Sequence, residues 1–177
     1  MTGDGGATPS QTIGPFLSVG VVVDGDSYVV DANDPEGLWL RGVVRDGDGA
    51  VVQDAFIETW QADHQGAYGG AFRGFGRCPT DDEGSYAIRT RKPGPVPAPT
   101  GGLQAPHIAV TVFARGLLHR VVTRIYFADE PAANAADPVL ADVPADRRGT
   151  LLAEPTPDGY RFDIHLQGPH ETVFFAA

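Results

Sequence analysis

The chain has a single cysteine, Cys78, so no intrachain disulfide framework can hold it together. No apolar run approaches the roughly 20 residues that a membrane-spanning helix requires. Basic residues are few: 13 Lys and Arg stand against 23 Asp and Glu, for a net charge of −10. Such a surface repels polyanions, which makes nucleic acid a poor partner. Blocks of strong helix formers are also missing. Met1 to Ser10 carry neither a basic n-region nor an apolar h-region, so a secretory signal is not expected and a cytoplasmic location is. There is no internal repeat and no break in composition to mark a domain boundary.

What is present is a folding-competent apolar fraction of 42%, with only 20% charged residues, in 177 residues. That is enough for one well-buried domain spanning 1–177. The 23 glycines and 15 prolines favour short strands joined by turns. Leu38 to Arg45, Ala55 to Gln61 and Ser85 to Thr90 read as strands, separated by the turn formers Asp46-Gly47-Asp48-Gly49 and Asp81-Asp82-Glu83-Gly84. Asp63 to Arg77 is glycine-rich and reads as a loop. The prolines and paired glycines from Pro93 to Gly102 forbid a central strand. His107 to Phe113 and Leu117 to Phe127 read as two strands about an Ala114-Arg115-Gly116 turn. Ala132 to Leu152 holds one or two short helical turns. Tyr160, Phe162, Ile164 and Leu166 alternate as a strand, with Thr172 to Phe175 placed to pair behind the Gln167-Gly168-Pro169 turn. The expectation is an all-β protein: a β-sandwich of about eight short strands with long loops and one or two short helical turns. Met1 to Pro9 read as a tail, ended by the Gly14-Pro15 bend.

Along nearly the whole chain a series of motifs resembles the intradiol ring-cleavage dioxygenases, and within them the α-type chain of the heteromeric members. The motifs are TPSQTIGPF (Thr8 to Phe16), ETWQAD (Glu58 to Asp63), FGR (Phe75 to Arg77) and KPG (Lys92 to Gly94). APHI (Ala105 to Ile108), TRIYF (Thr123 to Phe127), YRFDI (Tyr160 to Ile164) and QGPHETVFF (Gln167 to Phe175) follow in order.

The resemblance implies a non-catalytic subunit that supports Fe(III)-dependent cleavage of 3,4-dihydroxybenzoate by O2 to 3-carboxy-cis,cis-muconate. It implies a homologous β-type partner chain that holds the ferric ion between two tyrosinates and two histidines. Three of those four ligands have no counterpart here. The family's His-x-His pair reads His107-Ile108-Ala109, so the second position has no donor. The family's PGPYP segment reads Pro93-Gly94-Pro95-Val96-Pro97, with Val96 in place of the tyrosine. The loop that would carry the other tyrosine is shortened between Tyr68 and Phe75, and Tyr68 matches a neighbouring, non-ligand position. No metal is therefore expected in this chain, and His107 is expected to be buried and locally hydrogen-bonded. The other histidines, His64, His119, His165 and His170, show no ligand spacing.

By the same resemblance Thr12, Gly14 and Pro15, in an N-terminal arm formed by residues 1–16, line the partner's substrate pocket, and Arg124 approaches it. An ordinary bend in the arm and an outward-pointing strand arginine are the plainer readings. Glu58 and Trp60, with Arg77 and Arg89, suggest a buried ion-pair cluster. Two alternatives stay open on sequence alone: a stand-alone β-sandwich binding module, and an enzyme with a rebuilt metal site around His107, His64, Asp63 or Glu58.

Overall fold

A computed structural model describes residues 7–14, 16–99 and 101–176. A one-turn helix, α1 (Leu17–Val21), is followed by β1 (Leu38–Arg45), β2 (Phe56–Trp60), β3 (Phe75–Pro79) and β4 (Ser85–Thr90). Next come β5 (Val96–Pro97), β6 (Leu103–Gln104), β7 (His107–Phe113) and β8 (Val121–Phe127). Helices α2 (Pro131–Ala136) and α3 (Pro138–Asp142), a 3-10 turn (Arg148–Leu151), and β9 (Leu152–Thr156), β10 (Gly159–Arg161) and β11 (Ile164–His165) complete the order.

Nine strands form one nearly closed sheet in the order β11-β1-β10-β9-β8-β7-β2-β3, with β4 pairing β1. β9 joins the two halves: Ala153 pairs with Phe127 of β8, and Glu154 pairs with Arg161 of β10. The halves face each other across one core of Leu40, Val44, Ile57, Ile88, Ile108, Val110, Val112, Ile125, Phe127 and Ile164. Period-2 alternation accounts for this set, since every second residue of β7 (Ile108, Val110, Val112) points inward. A second cluster, Ala105, Tyr126, Leu140, Val143 and Leu151, lies under the short helices on the opposite side of β7 and β8.

β1, β4 and β7 coincide with the strands expected from sequence. Elsewhere the structure corrects the expectation. Phe75 to Arg77 belong to β3 rather than to the glycine-rich loop, because they pair residue by residue with Trp60 to Glu58. The 93–102 stretch does stay out of the main sheet, but Val96–Pro97 pairs with Leu103–Gln104 as a separate two-residue ribbon. β8 begins only at Val121, and residues 117–120 belong to the turn. β9 was not expected; its LAEPT sequence has weak strand propensity and includes Pro155. The Tyr160 to Leu166 run is split, because Asp163 Oδ1 takes the Val43 amide at 3.0 Å and replaces a ladder bond. Thr172 to Phe175 contributes one bridge, Phe175 to Val122.

Gly42 fixes the tightest approach in the sheet. A Cβ built there would lie 1.7 Å from the Phe162 carbonyl oxygen, which also accepts the buried Tyr86 hydroxyl at 2.6 Å. No side chain fits without moving β1 from β10 and β11. Gly42→Ala is therefore expected to cost about 3 kcal/mol or more in denaturant unfolding, at the upper end of overpacking penalties. Gly149→Ala, where no atom lies within 4 Å of the new methyl, should leave the midpoint within about 0.5 kcal/mol.

Candidate functional site on the outer face of the sheet

Residues directly opposite each other on neighbouring strands share a face. The register Phe75↔Trp60↔Ala109↔Arg124 therefore forms one row across β3, β2, β7 and β8, on the face turned away from the core. His107 and Tyr126 form the next row toward one end, and Arg77, Glu58 and Thr111 the next toward the other.

His107 is 5% exposed and shares a hydrogen bond between its Nδ1 and the Ala105 carbonyl at 2.8 Å. Burial pushes its pKa below the ordinary histidine value, and the Arg124 charge adds to the shift against the pull of the Ala105 carbonyl. Tyr126 lies beside it, with ring centroids 5.7 Å apart. Its hydroxyl is pushed up to about 12, by burial first, against the lowering effect of Arg124. Arg124 donates through Nη1 to Gln104 Oε1 at 2.6 Å and to the Tyr126 hydroxyl at 3.3 Å. The Tyr126 hydroxyl in turn donates to Asp137 Oδ1 at 3.2 Å.

Asp137 is 1% exposed and collects more than the phenol. It accepts the Val139 and Leu140 amides as the N-cap of α3, and the Ala105 amide from the start of the β7 segment. One buried carboxylate thus ties the helices to the strand that carries His107.

On the other side of Ala109, the Trp60 and Tyr68 rings stack with centroids 6.1 Å apart and planes 14° apart, each residue 47% exposed. Burial raises the Tyr68 pKa, and Arg124 opposes that rise. Arg124 therefore acts on both Tyr68 and His107.

The sequence-predicted site residues do not all meet. Thr12 Oγ1 accepts the Gly116 amide at 2.8 Å, which docks the arm on the β7–β8 turn. Gly14 follows with a φ of +72°, a conformation in which glycine is unstrained. Pro15 and residues 1–6 of the tail lie outside the described residues. Arg124 is mid-strand and turns toward Gln104 and Tyr126, so the structure does not bring it to the arm. Arg115, which is next to the Thr12 contact, pairs with Asp54 at 3.1 Å. Of the suggested ion-pair cluster, Arg77 and Glu58 pair at 2.8 Å, with side chains about one-quarter exposed. Arg89 is elsewhere, over Trp39 on the β1–β4 half of the sheet. His165 and His170 do approach, with centroids 6.0 Å apart, which their spacing had not suggested. Gln104, Tyr126 and Asp137 were missed as site residues. Only Asp137-Pro138 carried a local signal, that of a helix N-cap followed by proline at the first helical position.

Comparison with known proteins places this geometry. Residues 14–168 match the family model described as Dioxygenase. The chain belongs to the intradiol dioxygenases. It is 43% identical to the protocatechuate 3,4-dioxygenase alpha chain of Burkholderia cepacia, over 95% of this chain and 96% of that one. It is 41% identical to the same-named chain of Pseudomonas putida, over 95% of each. The protocatechuate 3,4-dioxygenase beta chain of Burkholderia cepacia is 32% identical over 77% of this chain and 67% of that one. Among solved structures, the dioxygenase domain of a dioxygenase–carbohydrate-binding fusion from Streptomyces sp. SirexAA-E superposes with a TM-score of 0.63 at 27% identity, covering 80% of this chain and 87% of that one.

Iron dependence is a property of the family, so the donors on this face bear on whether they suit a ferric ion. As a donor set for a ferric ion they are incomplete: Ala109 on this face and Val96 in the β5–β6 ribbon offer no donor, and the Arg124 charge, which acts on both His107 and Tyr68, would repel a cation. Among the described residues no group of three or more His, Cys, Asp or Glu is arranged to hold a metal. Nor is any described helix long and apolar enough to cross a membrane.

Two predictions follow from these contacts. Asp137→Ala would strand up to four donors and is expected to cost at least about 3 kcal/mol, read by chemical denaturation; Asp137→Asn, which keeps Oδ1, should lose clearly less.

The second concerns pH. His107 is held below its ordinary 6.5 by burial. Asp34 and Asp158 are held below 3.8 by Arg91 and Arg41, and Asp63 by the Ala67 and Gln65 amides. For Asp129, burial opposes ionisation but Lys92 and Tyr160 outweigh it. In every case the unfolded chain takes up the proton first as pH falls, so stability is lost on acidification. The melting temperature is expected to decline as pH drops through about 6.5 and again near 4. His107→Gln should remove the first decline and leave the second.

Proposed function

We propose that this chain is the non-catalytic α subunit of a heteromeric protocatechuate 3,4-dioxygenase, and that a homologous β-type chain holds the ferric ion. The observation that carries the reading is the near-full-length match to two α chains, alongside a more distant match to a β chain. The donor set on the outer face supports it, since it suits hydrogen bonding and not metal binding. The reaction is Fe(III)-dependent cleavage of 3,4-dihydroxybenzoate by O2 between its hydroxylated carbons, at a site supplied mainly by the partner.

This chain contributes its arm. Thr12, Gly14 and Pro15 form one wall of the partner's substrate pocket, with Thr12 held on the β7–β8 turn by the Gly116 amide. A positive-φ glycine followed by proline presents backbone without bulk, which suits a wall that must approach a small planar substrate closely. By the same resemblance Arg124, whose guanidinium donates to Gln104 and Tyr126, approaches that pocket as well. The chain works as a single domain in the cytoplasm.

The experiment is co-expression with the β-type chain, followed by iron analysis and O2-uptake measurements with 3,4-dihydroxybenzoate. Iron and turnover are expected only in the two-chain complex. Stoichiometric iron and O2 uptake by this chain alone would overturn the reading. Within the complex, Gly14→Ala strains the arm by about 1–2 kcal/mol. It should raise KM by about 5- to 30-fold at unchanged iron content.

A further inference from the structure

What Thr12 can do for a neighbouring pocket depends on where the Gly116 amide stands, because that amide is its hydrogen-bond partner at 2.8 Å. Gly116 is at the apex of the β7–β8 turn. The turn closes on itself through the Leu117 amide, which donates to the Ala114 carbonyl at 3.2 Å, and Gly116 has a φ of +92°. Its base is fixed, since Ala114 is 1% exposed and Leu117 packs against the main core.

The apex is not packed. A Cβ built on Gly116 would meet no atom within 4 Å. A cavity of about 450 Å³ separates the turn from the 46–54 loop, with Val51, Asp54, Arg115 and Leu166 in its walls. Another of about 230 Å³ lies toward the arm, against Gln11, Ile13 and Leu118. Surfaces that face voids have few dispersion contacts to hold them, so directional contacts decide where this apex stands. Among the described residues one ion pair reaches it from outside the arm, Arg115 Nε to Asp54 Oδ2 at 3.1 Å.

Asp54 is on firmer ground than its partner. Thr80, which is 8% exposed, grips the chain on both sides of it. The Thr80 hydroxyl accepts the Ala55 amide at 3.0 Å and donates to the Val52 carbonyl at 2.8 Å, and the Thr80 amide donates to the Ala55 carbonyl at 2.9 Å. The Gly116 N–H belongs to the planar peptide unit that starts at the Arg115 carbonyl, so a restraint on Arg115 restrains the direction of that N–H.

We propose that Asp54 is a positioning residue for the partner's substrate pocket: through Arg115 it aims the Gly116 amide at Thr12, and so sets where the arm's wall stands. The contacts run from buried Thr80 through Asp54, Arg115 and Gly116 to Thr12. Neither Asp54 nor Arg115 touches the substrate. The inference rests on the arm reading proposed above and adds the residue that fixes the arm. The Arg115 side chain is 66% exposed, so the pair is screened and stabilises the fold little. Its effect on the arm is therefore separable from its effect on folding.

In the iron-loaded two-chain complex, Asp54→Asn is expected to raise KM for 3,4-dihydroxybenzoate by about 2- to 5-fold, the range of an exposed ion pair. Iron content and kcat should be unchanged, and the melting temperature should stay within about 2 °C. In a Thr12→Val background, where the amide has lost its acceptor, Asp54→Asn should add nothing to KM. An unchanged KM in Asp54→Asn, or a rise that adds in full to that of Thr12→Val, overturns the proposal.

The subunit reading fails differently, through absent turnover in every two-chain preparation, the unmodified one included. Hydrogen exchange at the Gly116 amide, followed by NMR in the full-length chain, then still decides whether Asp54 aims that amide. Exchange about 2- to 5-fold faster in Asp54→Asn supports it, and an unchanged rate overturns it.

Discussion

The antiparallel pairing of β7 with β8 is the constraint on which the rest of the molecule depends. Its inner face, Ile108, Val110, Val112, Ile125 and Phe127, is the centre of the main core. Its outer face carries His107, Ala109, Arg124 and Tyr126. Because side chains alternate with a period of two, a one-residue slip would exchange these faces and place an arginine in the core. The hydrophobic pattern therefore sets the register, and the register sets which functional groups meet. Asp137 then fixes the outer face by joining helix α3, Ala105 and Tyr126 through one carboxylate.

This arrangement explains how a chain can keep a dioxygenase fold while its chemistry changes. The core that supports β7 and β8 is indifferent to whether residue 109 is a metal ligand or an alanine, because that side chain never enters it. A guanidinium bonded to Gln104 and Tyr126 supplies a positive charge on this face without any metal donor set. Fold and site are separable here in a direct sense, since they occupy opposite faces of the same two strands.

How far the sequence discloses this depends on the range of each interaction. β4 alternates strictly and β1 and β7 do so over most of their length, so local pattern suffices. β9 is invisible to pattern because its pairing partners Phe127 and Arg161 supply the stability that LAEPT lacks. β3 hides in a glycine-rich stretch because Gly76 is needed there: a Cβ would press on Val29, Thr59 and Ile88. The missing metal donors at Val96 and Ala109 are legible from motif resemblance. The Gln104–Arg124–Tyr126–Asp137 chain is not, because its members lie on three separate segments and only the fold brings them together. A strand residue's face can be read from sequence, but the groups that meet it there, such as Gln104 beside Arg124, cannot.

The central claim is that this chain supports ferric chemistry without holding the metal. Native mass spectrometry of the co-expressed complex tests it most directly, by locating iron before and after the two chains are separated in the gas phase. The account predicts one iron per pair of chains, retained by the partner, with this chain released at its bare polypeptide mass. Iron leaving with this chain would contradict it.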